Sequence, residues 1–386
     1  MNLVLSAATV ALLAGTTVIA QDSAEAPKAA ADPNSTVTAA QARATAARLA
    51  DMLDQDYVFP DVAVKYAAAL RSASAAGVYD QLATAADLAE RLTADLRAVS
   101  PDNHLRVTVG GPDGPGGPGP RRVMVRRPAG AAAEAGGPPR PQRPDPIEHA
   151  GWIAPGVAFV RFNVFPPDAD VTAAAERFMA AHADAKTIIF DIRTHGGGGL
   201  DQMDAIFPFL FAKETPLVAM DTRTSVDRAG GNPLDASPTL REVPTQEDVV
   251  RREHIAIPHA TEKRLFDAKV YVLTSSFTGS AAEHFALALK RTGRATLIGE
   301  ATGGAGHYGG MRRIDDRFSV FIPVGRSFDQ DTGKGWEADG VAPNVAVAAE
   351  RALVEALTRS GVAAAEAETL SAKVAPTRPM TRPRRT

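Results

Sequence analysis

The stretch from Lys269 to Gly304 places a serine where a nucleophile would serve. Val270 to Leu273 is a short, β-branched apolar run, which predicts a buried strand. Thr274 to Gly279 is polar and turn-forming. From Ser280 onward, Ala281, Phe285, Ala288 and Leu289 fall on one helical face. Gly293 ends that helix, and Ala295 to Ile298 begins another strand. Ser280 therefore sits where a strand hands over to a helix, at the end with free N–H groups and a positive dipole. An oxyanion formed beside it would meet the N–H of Ala281. A second reading fits the same residues. Ser280-Ala-Ala-Glu283 matches a capping box, in which the serine caps and the glutamate caps back. If Thr278 caps instead, Ser280 is released for chemistry.

A second chemical feature is Asp191-Ile-Arg-Thr-His-Gly-Gly-Gly-Gly199, between an apolar strand and a helix. Four glycines allow very close approach of backbone to ligand. A phosphate cradle would need a following Lys-Ser/Thr or a Gly-x-Gly-x-x-Gly frame, and neither is present. His195-Gly-Gly-Gly echoes the oxyanion loop of lipases, but no Gly-x-Ser-x-Gly elbow accompanies it. An oxyanion loop serving a serine elsewhere and a plain tight turn both stand. Among the histidines, His104 marks the change from helices to a strand, a place where loops carry function. His254 and His259 are spaced poorly for a helical metal pair and lack an obvious acidic third ligand, so no metal is expected. Glu337, after Trp336, reads by default as a surface carboxylate.

The elements that would position these residues follow from periodicity. Thr38 to Gln41 and Thr84 to Asp87 are capping boxes, the first opening a helix through Leu49 and Leu53. A further helix covers Val62 to Ala75 and stops at Gly77. These three amphipathic helices can form a small bundle. Gly110–Pro120 and Pro128–Pro146 are Gly/Pro/Ala linkers flanking a short basic strand, Arg121–Arg127. Gly156–Phe165 alternates as a strand, Asp168–His182 is a helix, and Thr187–Ile192 reads as a fully buried parallel strand. A helix covers Leu200–Phe211. Met220–His259 is polar and reads as a long surface excursion with a short strand near Ile255. Thr302–Gly310 is Gly-rich and holds His307 in a flexible loop. Arg317–Phe328 is a strand, and a helix runs from Ala348 to Ser360.

The chain has 386 residues, enough for a large core, and a net charge of −3 that leaves no nucleic-acid footprint. With no cysteine, disulfides and a cysteine nucleophile are excluded. Leu3 to Ala20 is apolar and small, like a secretory signal with a small-residue cleavage site, though no Lys or Arg precedes Lys28. This predicts a secreted or periplasmic protein without stable membrane insertion once the signal is removed. The expected domains are a signal peptide (1–20), a flexible lead-in (21–35) and a helical N-terminal domain (36–103). Strands and Gly/Pro-rich linkers (104–150), a core (151–360) and a basic disordered tail (361–386) complete them. Nothing here sets an oligomeric state.

Together these pieces resemble the C-terminal processing (tail-specific) serine peptidase family, in the branch with the tricorn core and interphotoreceptor retinoid-binding protein. Four motifs line up in the family's order: Asp102-Asn-His104-Leu; Asp191 to Gly198; Thr278-Gly-Ser280-Ala-Ala-Glu283 with Gly299 to Gly304; and Trp336-Glu337 to Pro343-Asn344. The resemblance implies an α/β fold, a crotonase-like ββα superhelix core preceded by a three-helix domain. It implies peptide hydrolysis of peptide or unfolded protein substrates through an acyl-enzyme on Ser280, without a cofactor. His104 would be the general base and Glu337 the orienting carboxylate. Ala281 with Gly197 or Gly198 would hold the oxyanion. His195, His284 and His307 are rival bases, His307 the strongest.

The departures from the family bear on this. No lysine follows Ser280 at the distance where many relatives carry one, which points to the serine–histidine version. No PDZ domain fits the linkers. His195 and Asn344 replace the family's usual asparagine and aspartate, and Asn103 stands where tricorn has a second serine. The alternative on the same fold is a non-catalytic binding module for apolar ligands or peptides.

Overall fold

A computed structural model describes residues 32–110, 144–234, 236–245 and 248–381. The expected signal, most of the lead-in, the strand Arg121–Arg127 and nearly all of both linkers lie outside these residues. Three helices come first: α1 (Ala39–Asp56), α2 (Pro60–Ala75) and α3 (Ala85–Val99). Thr38 and Thr84 close the predicted capping boxes with Gln41 and Asp87. Pro60 opens α2, where its missing N–H costs nothing. There follow β1 (Arg106–Val109), β2 (Ile147–Ala154), β3 (Val157–Phe162), α4 (Ala169–Ala181), β4 (Thr187–Asp191) and α5 (Asp201–Ile206). A single 3₁₀ turn, Phe207–Phe209, replaces the rest of the predicted Leu200–Phe211 helix. Pro208 lies within it and supplies no N–H.

The chain continues through β5 (Thr215–Arg223), α6 (Thr224–Arg228), β6 (Leu240–Val243), β7 (Val249–Ala256) and β8 (Lys269–Thr274). Next come α7 (Ala281–Arg291), β9 (Thr296–Gly299), β10 (His307–Arg313), β11 (Phe318–Phe328), β12 (Val345–Ala346), α8 (Ala352–Arg359) and α9 (Ala364–Lys373). The fold is mixed α/β with two six-stranded sheets. One has the order β12-β9-β8-β4-β3-β2, parallel except for the β2–β3 hairpin. Its centre is buried on both faces, as the unbroken apolar runs of β3, β4 and β8 require. One face packs against α4 and α7, the other against α8 and α9.

The second sheet is antiparallel, β1-β11-β5-β7-β6, with β10 on the other edge of β11. Strand β11 organises it. Val320, Ile322 and Val324 join Leu105 and Val107 in a core shared with the three helices. Phe321, paired with Arg106, points to the opposite face. The helical region therefore packs onto this sheet, within the compact unit Ala31–Thr386.

Three expectations are corrected. Met220–His259 is not a loop excursion; it holds α6, β6, β7 and part of β5. Its charged residues pair between elements, Arg251 of β7 with Asp221 of β5 and Arg252 of β7 with Asp227 of α6, so polarity here marks ion pairs rather than solvated loop. His307 is not in a flexible loop but begins β10. The stretch 361–386 is not a disordered tail as far as it is described. Ala364–Lys373 is helix α9, fixed through the buried Ala367, and residues 374–381 make defined contacts. No helix among the described residues is long and apolar enough to cross a membrane.

Beneath the central sheet, Asp191 is fully buried between two arginines. It accepts from Arg161 Nε at 2.8 Å and from Arg193 Nε and Nη2, both at 2.8 Å. Burial alone would raise this carboxyl, but the two guanidiniums outweigh it and hold it down at about 2. Asp191→Asn takes the counter-charge from the buried Arg193 and leaves Arg161 only the more distant Glu148 at 3.5 Å. The expected cost is about 3–5 kcal/mol, read as a lowered urea midpoint with an unchanged slope.

Candidate active site

Ser280 follows the predicted turn and opens α7, but its backbone is unlike that of a capping serine. It lies at φ 58°, ψ −121°, where a cap takes extended angles. Among the described residues, only Ser280 and Ala338 are non-glycine residues with positive φ. Both border this site. Such strain costs of order 1–3 kcal/mol and collects at functional positions. Thr278 does not take the capping place: its hydroxyl donates to Ile192 O at 2.9 Å and accepts from Ser275 N.

Glu283 fixes this geometry. Its Oε2 accepts from the N–H of Ser280 and of Ala305, both at 2.8 Å. Its Oε1 accepts from the Thr302 hydroxyl at 2.6 Å and Gly304 N–H at 2.7 Å. Burial pushes this carboxyl up, and the four donors oppose the rise.

The glycine run lies directly against the serine. A Cβ on Gly197 would sit 2.9 Å from Ser280 Cβ and 3.4 Å from its Oγ, and Gly197 has φ 121°. Gly198, at φ 139°, has no room for a Cβ against Phe165 O at 1.9 Å. The Gly197 N–H donates to His195 Nδ1 at 3.0 Å. Among the described residues, the N–H groups of Gly198 and Ala281 meet no acceptor. His195 is wholly buried, edge-on to Phe165 with centroids 4.2 Å apart. Burial first, then the charge of Arg378, push it down to about 3.

The N-terminal part of the site arrives through Asp102-Asn103-His104. Asp102 Oδ1 accepts from the His104 and Leu105 N–H groups at 2.9 and 3.0 Å. Its Oδ2 meets the Tyr57 hydroxyl at 2.9 Å and His307 Nδ1 at 2.7 Å. Burial works to raise the Asp102 carboxyl, yet His307 and the other donors hold it below its ordinary value. Asn103 joins the serine's surroundings, its side chain donating to Gly304 O at 2.5 Å and its N–H to Glu337 Oε1 at 2.8 Å. Glu337 is no free surface carboxylate. Its Oε2 also accepts from Gly306 and His307 N–H at 2.6 and 3.1 Å. Burial pushes it up against the pull of His307.

The two histidines near this junction face different ways. His307 pairs with Arg326 on β11, on the face whose Ile322 and Val324 meet the helices, and its ring lies 5.3 Å from Phe59. His104 stacks on Phe321, centroids 5.3 Å apart at 25°, on the opposite face. His284 is elsewhere, buried and bonded to His254 Nδ1 at 2.9 Å, with Asp204 on the far nitrogen of His254 at 2.9 Å. Among the described residues, Asp102, His307 and Glu337 offer three donor atoms within 4.8 Å of one another, the one group that could hold a metal ion. Their carboxylate oxygens are already engaged by N–H and O–H donors.

Comparison with known proteins gives the family. Residues 156–347 match Peptidase family S41, and residues 36–126 match the N-terminal domain of Peptidase_S41 in eukaryotic IRBP. The chain belongs to peptidase family S41. The photosystem II D1 C-terminal processing protease shares the S41 fold at TM-score 0.51 and 16% identity, over 87% of this chain and 99% of that one. A candidate peptidase from Parabacteroides merdae matches at TM-score 0.50 and 16% identity, over 82% and 90%. Asp102 and His307 as a pair escape sequence reading. The Asp-x-His motif is visible, but its partner lies 205 residues away.

The buried S41 histidine at 195 makes a pH prediction. Its pKa falls from an ordinary 6.5 to about 3 on folding. The neutral ring's contribution is therefore complete above about pH 6.5 and is lost as pH falls toward 3. His195→Asn removes that proton uptake. The acid limb of a denaturant-derived stability profile should then be shallower by up to about 1.4 kcal/mol per pH unit. An unchanged limb would show that His195 does not stay neutral.

Proposed function

We propose that this S41 chain is a serine endopeptidase that hydrolyses peptide bonds through an acyl-enzyme on Ser280, with His104 as general base. The observation that carries the reading is the strained Ser280 backbone, held by Glu283 and pressed against Gly197. The Ala281 N–H, next along the chain, meets no acceptor among the described residues and is left for an oxyanion. In the first step Ser280 Oγ attacks the scissile carbonyl and its proton passes to His104. The tetrahedral oxygen takes hydrogen bonds from Ala281 and Gly198. The Gly197 N–H, given to His195, is the weaker candidate of the glycine pair. Collapse expels the amine with the proton from His104, and water then releases the acyl group.

Glu337 acts through Asn103, fixing the segment that carries His104, rather than by touching the base. His307 braces Asp102 from the helical side. The substrates are peptides or unfolded segments, and Leu3–Ala20 supports a secreted or periplasmic setting. The carrier alternative needs an apolar pocket of roughly 300–1,000 Å³. Two cavities, of about 170 Å³ beside His307 and 450 Å³ beside Arg291, carry charged residues in their linings, among them Glu337, Arg326 and Asp331.

A fluorophosphonate probe tests this. It should label Ser280, and Ser280→Ala should abolish labelling. His104→Ala should slow labelling about 10²- to 10⁴-fold, the range for loss of a general base. His307→Ala should lower the melting temperature while keeping labelling within about tenfold of the parent, since it removes a brace and not the base. Full labelling without the imidazole at 104, together with its loss in His307→Ala, reverses the assignment of the base.

A further inference from the structure

Asp204, His254 and His284 form a hydrogen-bonded chain across three elements, and the proposed reaction leaves all three unused. His284 Nε2 meets His254 Nδ1 at 2.9 Å, and His254 Nε2 meets Asp204 Oδ1 at 2.9 Å. The Thr239 hydroxyl donates to Asp204 Oδ2 at 2.9 Å. His254 and His284 are buried, and Asp204 is the end that reaches solvent. Aromatic rings cover the two imidazoles, Phe207 at 5.9 Å from His254 and Trp336 at 6.2 Å from His284. The donor order follows from the groups themselves. A carboxylate only accepts, so His254 donates to Asp204 from Nε2. In a neutral His254 the other nitrogen accepts, and His284 donates to it from its own Nε2. Burial, and then the charge of His254, push the His284 pKa well below its ordinary value, so that ring stays neutral.

The chain ends on the two helices that follow the serine and the glycine run. His284 lies in the first turn of α7, and its backbone N–H donates to Ser280 O at 3.1 Å. Asp204 lies in α5, which opens at Asp201, just past Gly199. Its backbone N–H donates to Leu200 O at 3.0 Å. His254, on β7, spans the gap between them. Beside the chain, Phe207 stacks on Phe285 with centroids 5.4 Å apart. Stacked rings hold two elements together but tolerate sliding, whereas hydrogen bonds weaken steeply when their angle changes. We propose that Asp204, His254 and His284 are positioning residues for Ser280: they hold α7 in register with α5, so that the serine keeps its place against Gly197 and Gly198. The inference rests on the reading of Ser280 as nucleophile. A displacement of about 1 Å at reacting groups can cost about 10²-fold in rate, so a broken chain is read in rate and not in probe affinity.

The test follows fluorophosphonate labelling of the full chain over a range of probe concentrations, which separates the limiting rate from the half-saturating concentration. His284→Leu cannot make the bond to His254. It should lower the limiting rate about 10- to 100-fold and leave half-saturation within about threefold of the parent. His284→Gln carries an amide N–H that can complete the bond, and it should return the limiting rate to within about threefold. A merely structural role would lower the melting temperature of His284→Leu and leave the limiting rate of the folded protein unchanged; that result overturns the proposal. An equal loss of rate in His284→Gln also overturns it, because His284 would then carry a proton rather than hold a position. If His284→Leu lacks the parent's thermal transition, Asp204→Ala, at the partly exposed end of the chain, is measured against the same limits. A parent that takes no label overturns the peptidase reading and this inference together. A labelled parent with equally labelled variants overturns the inference alone.

Discussion

One buried carboxylate sets the geometry on which the rest of the site depends. Glu283 sits in the first turn of α7 with no exposure to solvent and receives four donors. Two of them, the N–H groups of Ser280 and Ala305, share one oxygen. The beginning of α7 and the turn at 302–305 are therefore a single piece. Strain at Ser280 costs of order 1–3 kcal/mol. Hydrogen bonds to a charged group contribute about 1.5–3 kcal/mol each, so four of them outweigh it. The capping box of the sequence does form, with Glu283 reaching back to the Ser280 N–H, but on a strained serine rather than at an ordinary helix start.

A second tie brings in the helical region. Glu337 accepts from Asn103 on one oxygen and from Gly306 and His307 on the other. Asp102 reaches His307 and Tyr57. The bonds from Asn103 to Glu337 and from Asp102 to His307 join segments more than 200 residues apart. The apolar core that α1, α2 and α3 share with β11 makes the approach possible. The carboxylates then fix its register. Hydrophobic packing places the segment, and directional bonds fix its alignment.

Much of the central sheet is legible because its code is local. Alternation marks β3, continuous apolar runs mark β4 and β8, a change of period marks α7, and Thr38 and Thr84 announce their helices. The four ordered motifs carry the family. What escapes depends on partners distant in sequence. Met220–His259 looks like loop because it is charged, yet Arg251 and Arg326 both spend their charge on Asp221. His307 looks mobile among glycines, but those glycines serve close contacts: a Cβ on Gly309 would meet Ile322 O at 1.9 Å. Residues 374–381 look solvated because their composition is basic and proline-rich, and composition does not reveal that Glu148 and Phe277 stand opposite them.

The parity of one strand separates the two histidines that sequence leaves in competition. Along β11, even-numbered residues from Val320 to Val324 enter the helical core, and Phe321 turns away from it. β1 repeats the rule, with Leu105 and Val107 inward and Arg106 against Phe321. A side chain at 104 therefore shares the face of Arg106 and Phe321, and its stacking on Phe321 follows. His307 pairs with Arg326, on the helical side, and one of its nitrogens is committed to Asp102. The two-residue period of the strands therefore puts His104 and His307 on opposite faces of this sheet.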